Sequence, residues 1–187
     1  MILEFFPHAR VYCFEPLPDP FEKLSQWADS QQGRVKVFNT ALGENEGSAE
    51  MFCHLEHSPS SSVLETTSLN EEYYPFTKVK KRFPVRMASL DKTVANFPEN
   101  LMPDLLIKLD VQGFEDRVIK GGPETFRRAK ACILEVNLDA LYAKQATFKD
   151  VLLLLYDLGF RYAGNLNQVY SPDDGHVIYL DALFLKE

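Results

Sequence analysis

The chain has 187 residues, enough for one domain with a substantial core, and its 45% hydrophobic and 25% charged residues are ordinary for a globular protein. Twenty Lys and Arg stand against 27 Asp and Glu, a formal net charge of −7, which argues against a nucleic-acid partner held by phosphate contacts. The one basic run, Lys78-Val79-Lys80-Lys81-Arg82, is short and reads as a solvated segment before a strand.

The opening residues, MILEFFPHARVY, lack the basic start and small-residue cleavage site of a signal peptide. Val11 to Phe14 is a short β-type run stopped by Glu15-Pro16, and Asp19 to Asp29 reads as a helix with Asp19 as cap and Pro20 in its first turn. Val35 to Phe38 is the next strand; Gly43 to Gly47 is a turn, and Ser48 to Cys53 a strand after it. His54 to Tyr74 is polar, serine-rich and without a clear period. Val85 to Met87 is a strand, and Ser89 caps a helix from Leu90 to Ala95.

Leu105 to Leu109 is an apolar run broken only by Lys108, and it stops on Asp110. Two helical pieces follow, Glu115 to Ile119 and Pro123 to Ala129, divided by Gly121-Gly122. Cys132 to Leu134 is a strand ending in Glu135. Thr147 to Leu158 is a strong helix, capped by Thr147 and stopped by Gly159. Its apolar run Val151 to Tyr156 falls well short of the ~20 residues of a membrane span. Arg161 to Gly164 and Tyr179 to Leu185 are the last strands; only a loop joins them, so they pair antiparallel. Strand–helix alternation predicts an α/β domain spanning residues 1–187, a parallel sheet with an antiparallel hairpin at one edge. The three cysteines, an odd number, read as buried thiols in a reducing cytoplasm.

In open parallel sheets ligands bind outside the carboxyl ends of the strands, and here those ends carry Glu15, Asn39, Asp110, Glu135 and Asn137. Glu15 suits a ribose-binding carboxylate, with a plain turn residue before Pro16 as the lesser alternative. Cys53-His54-Leu55-Glu56-His57 has too few ligands for zinc, although His57 offers a proton acceptor if its loop closes. No serine has the G-x-S-x-G setting of a hydrolase, and Gly121-Gly122 lacks the lysine of a P-loop.

The blocks VYCFEPLPDPFEKL, VFNTALGENEGSAEMF, SSSVLE, IKLDVQGFEDRVIKGG and ILEVN occur in that order, with LGF and a closing hairpin after them. Together they resemble the FkbM-type family of S-adenosylmethionine-dependent methyltransferases; FEP at 14–16 and LDVQGFE at 109–115 are the most specific. The resemblance implies a Rossmann-like class I sheet of strand order 3-2-1-4-5-7-6. It also implies methyl transfer to a hydroxyl of a sugar, glycolipid or polyketide-like acceptor. By position, Glu15 would bind the cofactor ribose, with Asn39, Thr40 and Ala41 near its adenine. Asp110 would lie where cofactor and acceptor meet, Gln112, Gly113 and Glu115 would shape the acceptor side, and SSSVLE would lie over the pocket.

The family's opening strand and glycine-rich turn have no counterpart here, since no glycine precedes Gly33. The expectation is a domain lacking its first strand and helix, with Met1–Pro7 as the end of that helix. Such a chain would bind the cofactor weakly or not at all. The competing reading is a non-catalytic binding module derived from the same fold. For the reaction two arrangements are open. Asp110 or Glu115 accepts the acceptor proton, or Asp110, Glu135 and Asn137 hold a magnesium ion. Glu115 also suits a plain helix start, where its charge favours the N-terminus.

Overall fold

The computed structural model describes residues 2–187; Met1, with which the expected helix remnant begins, lies outside them. After α1 (Ile2–Phe5), strand β1 (Val11–Phe14) pairs in parallel with β2 (Val35–Phe38), Val11 opposite Val35 and Phe14 opposite Phe38. The crossover between them is α2 (Pro18–Asp29). Its N-cap is Leu17, without a side-chain bond, and Asp19 sits inside the first turn. This corrects the expected cap: Pro18 presets the helical φ and has no N–H to be capped, so the helix begins one residue earlier. Leu3, Ala28 and Val35 form a small core under this unit.

A second sheet lies along the middle of the chain. In it β5 (Lys80–Ala88) pairs in parallel with β3 (Ala41–Leu42) and antiparallel with β4 (Gly47–His54). β5 begins five residues before the expected strand at Val85. Pro84 hid it, because a proline cannot donate to a ladder. The short β3 reaches only Met87 and Ala88, so β5 has β4 alone as ladder partner at Pro84 and tolerates it. The aperiodic segment between β4 and β5 holds two 3-10 turns and α3 (Ser68–Tyr73), whose N-terminus is capped by the Thr67 hydroxyl accepting from Asn70 N–H at 3.2 Å.

The third sheet has the order β6-β7-β9-β8. β6 (Leu105–Leu109) and β7 (Ala129–Asn137) are parallel, while β9 (Val177–Lys186) runs antiparallel to both β7 and β8 (Phe160–Tyr170). The predicted closing hairpin is present, and both of its strands are longer than the apolar pattern suggested. Helices α4 (Leu90–Ala95), α5 (Glu115–Lys120), α6 (Pro123–Arg128) and α7 (Phe148–Asp157) complete the fold. Thr147 caps α7 in a reciprocal box with Asp150, and Gly159 follows with φ +84°. Val118, Phe126, Leu134, Leu155 and Phe184, all fully buried, are central to the main core.

The neighbours 3-2 and 4-5-7-6 of the implied strand order are both present, as β2-β1 and β6-β7-β9-β8. They are separate hydrogen-bonded sheets, since no described strand pairs with the outer edge of β1 or β6. β6 is therefore an edge strand with Leu106 41% exposed, not the buried central strand its apolar run suggested.

Candidate active site

β1, β2, β6 and β7 each end in a polar residue, as parallel strands that run in pairs must if their ends share a rim. At the end of β1, Glu15 is half-buried and its Oε1 accepts the Leu17 N–H at 2.8 Å. Burial raises its pKa, and the Leu17 amide opposes that rise. Asn39, at the end of β2, donates its amide to the carbonyls of Glu15 and Pro16 at 3.0 and 3.1 Å. It thus braces the turn that presents Glu15. Thr40 and Ala41 are buried, and the Thr40 hydroxyl lies 3.2 Å from the Arg86 carbonyl.

At the end of β6, Asp110 is exposed and paired with Lys108 at 2.8 Å. Its neighbour on β7, Glu135, is half-buried. Between them lies Gln112. The Gln112 Nε2 donates to Asp110 Oδ1 at 2.9 Å and to Glu135 Oε1 at 2.7 Å, while Gln112 Oε1 accepts the Tyr142 hydroxyl at 2.6 Å. These partners leave one assignment for the amide: nitrogen toward the carboxylates and oxygen toward the phenol. Burial, then the Asp110 charge, pushes Glu135 up to about 7, against the lowering effect of the Gln112 bond.

Gln112 has φ +55° and Gly113 φ +89°, so the turn after Asp110 makes two left-handed steps. A Cβ on Gly113 would come within 3.1 Å of the Tyr142 and Gln145 side chains, so the turn also packs too closely for a larger residue. Glu115, only 4% exposed, folds back beneath this turn and accepts the N–H groups of Val111 and Gly113 at 3.3 Å each. Burial pushes it up to about 7, against the amide bonds. Both the turn and the start of α5 draw this carboxylate inward, away from the rim.

The loop SSSVLE meets the site through Ser62, whose hydroxyl donates to the Gln112 carbonyl at 2.8 Å, and through the Ser60 carbonyl, 3.1 Å from the Tyr142 hydroxyl. Tyr142 carried no motif: it is 30 positions from Gln112 in a loop after β7, and sequence gave no sign of the contact. His54, expected in a loose loop, ends β4 fully buried with neither ring nitrogen hydrogen-bonded. His57 is exposed and bonded to Ser60 Oγ at 2.9 Å.

The donor set does not fit a cation at Asp110, Glu135 and Asn137. The Gln112 amide nitrogen, a donor with no lone pair to offer, occupies the space that the two carboxylates share. Among the described residues no group of three or more His, Cys, Asp or Glu is arranged to hold a metal ion. A cleft of about 430 Å³ lies between α5 and α7, but it includes none of the strand-end residues. Of its basic residues Arg117, Lys120 and Lys144, the first two are paired with Asp116. No helix among the described residues is long and apolar enough to cross a membrane.

Paired parallel strands with acidic ends, closed by an antiparallel hairpin, define a Rossmann-like methyltransferase fold. The sequence pattern of the Methyltransferase FkbM domain matches residues 3–162, and the chain belongs to that family. The 2-O-methyltransferase NoeI of Sinorhizobium fredii (strain NBRC 101917 / NGR234) is 26% identical to it over 159 residues. That match covers 82% of this chain and 64% of the relative. The crystal structure of Methyltransferase FkbM from Methylobacillus flagellatus KT superposes with a TM-score of 0.58 at 13% identity, over 98% of this chain and 39% of that one. At such identity the likeness is one of fold.

Proposed function

We propose that this protein is an S-adenosylmethionine-dependent O-methyltransferase acting on a hydroxyl of a sugar, glycolipid or polyketide-like acceptor. The observation that carries the reading is the Asp110–Gln112–Glu135 bridge at the ends of two adjacent parallel strands. The 2-O-methyltransferase relative supports oxygen as the receiving atom. When bound, S-adenosylmethionine supplies a sulfonium-activated methyl group.

Glu15 accepts hydrogen bonds from the ribose hydroxyls; its Oε2 has no partner among the described residues and is available to do so. Asn39 fixes the Glu15 turn, and the backbone at Thr40 and Ala41 lines the adenine side. Asp110 lies between cofactor and acceptor. A hydroxyl is a poor nucleophile, so its proton needs an acceptor as the new bond forms; the Asp110–Glu135 pair takes it. Glu115, whose carboxylate faces the turn amides, supports this pair from beneath and does not meet the substrate.

Incubation with S-adenosylmethionine labelled in its methyl group and a panel of hydroxylated acceptors tests the reading. Label is expected on an acceptor oxygen, and EDTA is expected to leave the rate unchanged. Absence of both transfer and calorimetric cofactor binding would overturn it.

A further inference from the structure

We propose that Gln112 is a positioning residue for methyl transfer: its amide, held by Tyr142 in a left-handed backbone, fixes the Asp110–Glu135 pair toward the acceptor. The role presupposes the O-methyltransferase reading above.

Both N–H groups of this amide are spent inside the protein, on two carboxylates, and its oxygen already accepts one hydrogen bond, from the phenol. No donor is left to grip a substrate hydroxyl oxygen, so the amide nitrogen acts on the reaction through the carboxylates it holds. The backbone carbonyl of the same residue accepts from Ser62, so the covering loop and the carboxylate pair are tied to one residue.

The backbone makes the side chain's importance visible. At φ +55° a residue with a Cβ is strained, and glycine would sit there freely. The neighbouring position does use glycine, at φ +89°. Retaining a long amide at the strained position is understandable if the amide has work that glycine cannot do. Tyr142, 2% exposed and packed over Gly113, is a rigid anchor for it. Its single phenolic proton goes to Gln112 at 2.6 Å in preference to the Ser60 carbonyl at 3.1 Å. Without the amide, the two carboxylates lose their shared donor, and Lys108 holds only Asp110. Like charges then spread the pair apart.

The test compares the wild-type protein with Gln112→Gly, Tyr142→Phe and the double variant. Glycine keeps the left-handed turn, so Gln112→Gly is expected to melt within a few degrees of wild type and to bind cofactor with unchanged affinity. Its kcat is expected to fall by about tenfold or more, with acceptor KM altered less than about threefold, because the lost interaction acts on the transition state. Tyr142→Phe should fall in the same direction, and the double variant should be no slower than Gln112→Gly, the mark of two groups acting as one. A Gln112→Gly kcat within twofold of wild type overturns the proposal, as does a loss of rate that merely follows a loss of folded protein. If wild type neither transfers methyl nor binds cofactor, the O-methyltransferase reading fails, and carboxyl-carbon NMR of Glu135 decides the positioning role separately. Gln112→Gly is expected to shift the Glu135 titration midpoint, and an unchanged midpoint overturns the hold itself.

Discussion

Glu115 and Gly113 show how much of the site depends on groups that would never touch a ligand. Glu115 has an ordinary pKa of 4.5 that burial pushes to about 7 in the folded protein. Between those values the folded chain holds a proton that the unfolded chain has released, so stability falls as pH rises from about 4.5 through about 7. The full effect for this residue is on the order of 3 kcal/mol, present at pH 4 and lost by pH 8. Glu115→Gln keeps an acceptor for the Val111 and Gly113 amides without the charge. It is expected to raise the melting temperature at pH 8 and leave it nearly unchanged at pH 4; equal shifts at both pH values would disprove the assignment. Gly113→Ala combines a left-handed Cβ with contacts at 3.1 Å to Tyr142 and Gln145. It should cost about 2 kcal/mol in urea unfolding, and displace Tyr142 from Gln112.

Elements are joined by contacts that local patterns do not advertise. The N-cap of α6 is Gly122, which has no side chain, and Asp91 of α4 takes over the cap from 33 residues away. Its carboxylate accepts the Glu124 N–H at 2.9 Å and the Thr125 N–H at 2.8 Å. Asp91→Ala is expected to destabilise the protein by about 1–2 kcal/mol, measured by denaturant unfolding, whereas the same change in an uncapping residue would be nearly neutral. Gly121 is tighter still: a Cβ there would lie 2.0 Å from the Gly43 carbonyl oxygen. Gly121→Ala should therefore cost more than about 4 kcal/mol or abolish soluble expression, since backbone cannot yield as a side chain tip can.

What sequence made legible at this scale was local: the β1, β2 and β6 runs, the Thr147 cap, the Gly159 stop and the carboxylate after Leu109. Pro84 shortened the expected β5 because its one-sided pairing depends on where β3 ends. Glu115 was ambiguous because a carboxylate at a helix start can face solvent or fold back onto the preceding turn. The Tyr142–Gln112 bond and the Asp91 cap were invisible, since each joins segments 30 or more residues apart.

At the level of the whole molecule, no strand ladder joins the three sheets; packing and single hydrogen bonds such as Ser62 to Gln112 and Thr40 to Arg86 do. The outer edges of β1 and β6 carry backbone groups without a ladder partner among the described residues, and Leu106 on β6 is 41% exposed. Unpaired edges with apolar side chains invite pairing with another chain. The arrangement also bears on the spacing of the rim. The β1–α2–β2 unit has a small core of its own around Leu3, Ala28 and Val35, while Glu135, Gln112 and Tyr142 are rooted in the larger sheet. Glu15 and Asp110 thus stand on different sheets, and Phe14 of β1, packed against the main core, links the two. The spacing of those two carboxylates is therefore governed by how side chains fit together in the interior rather than by a shared strand ladder.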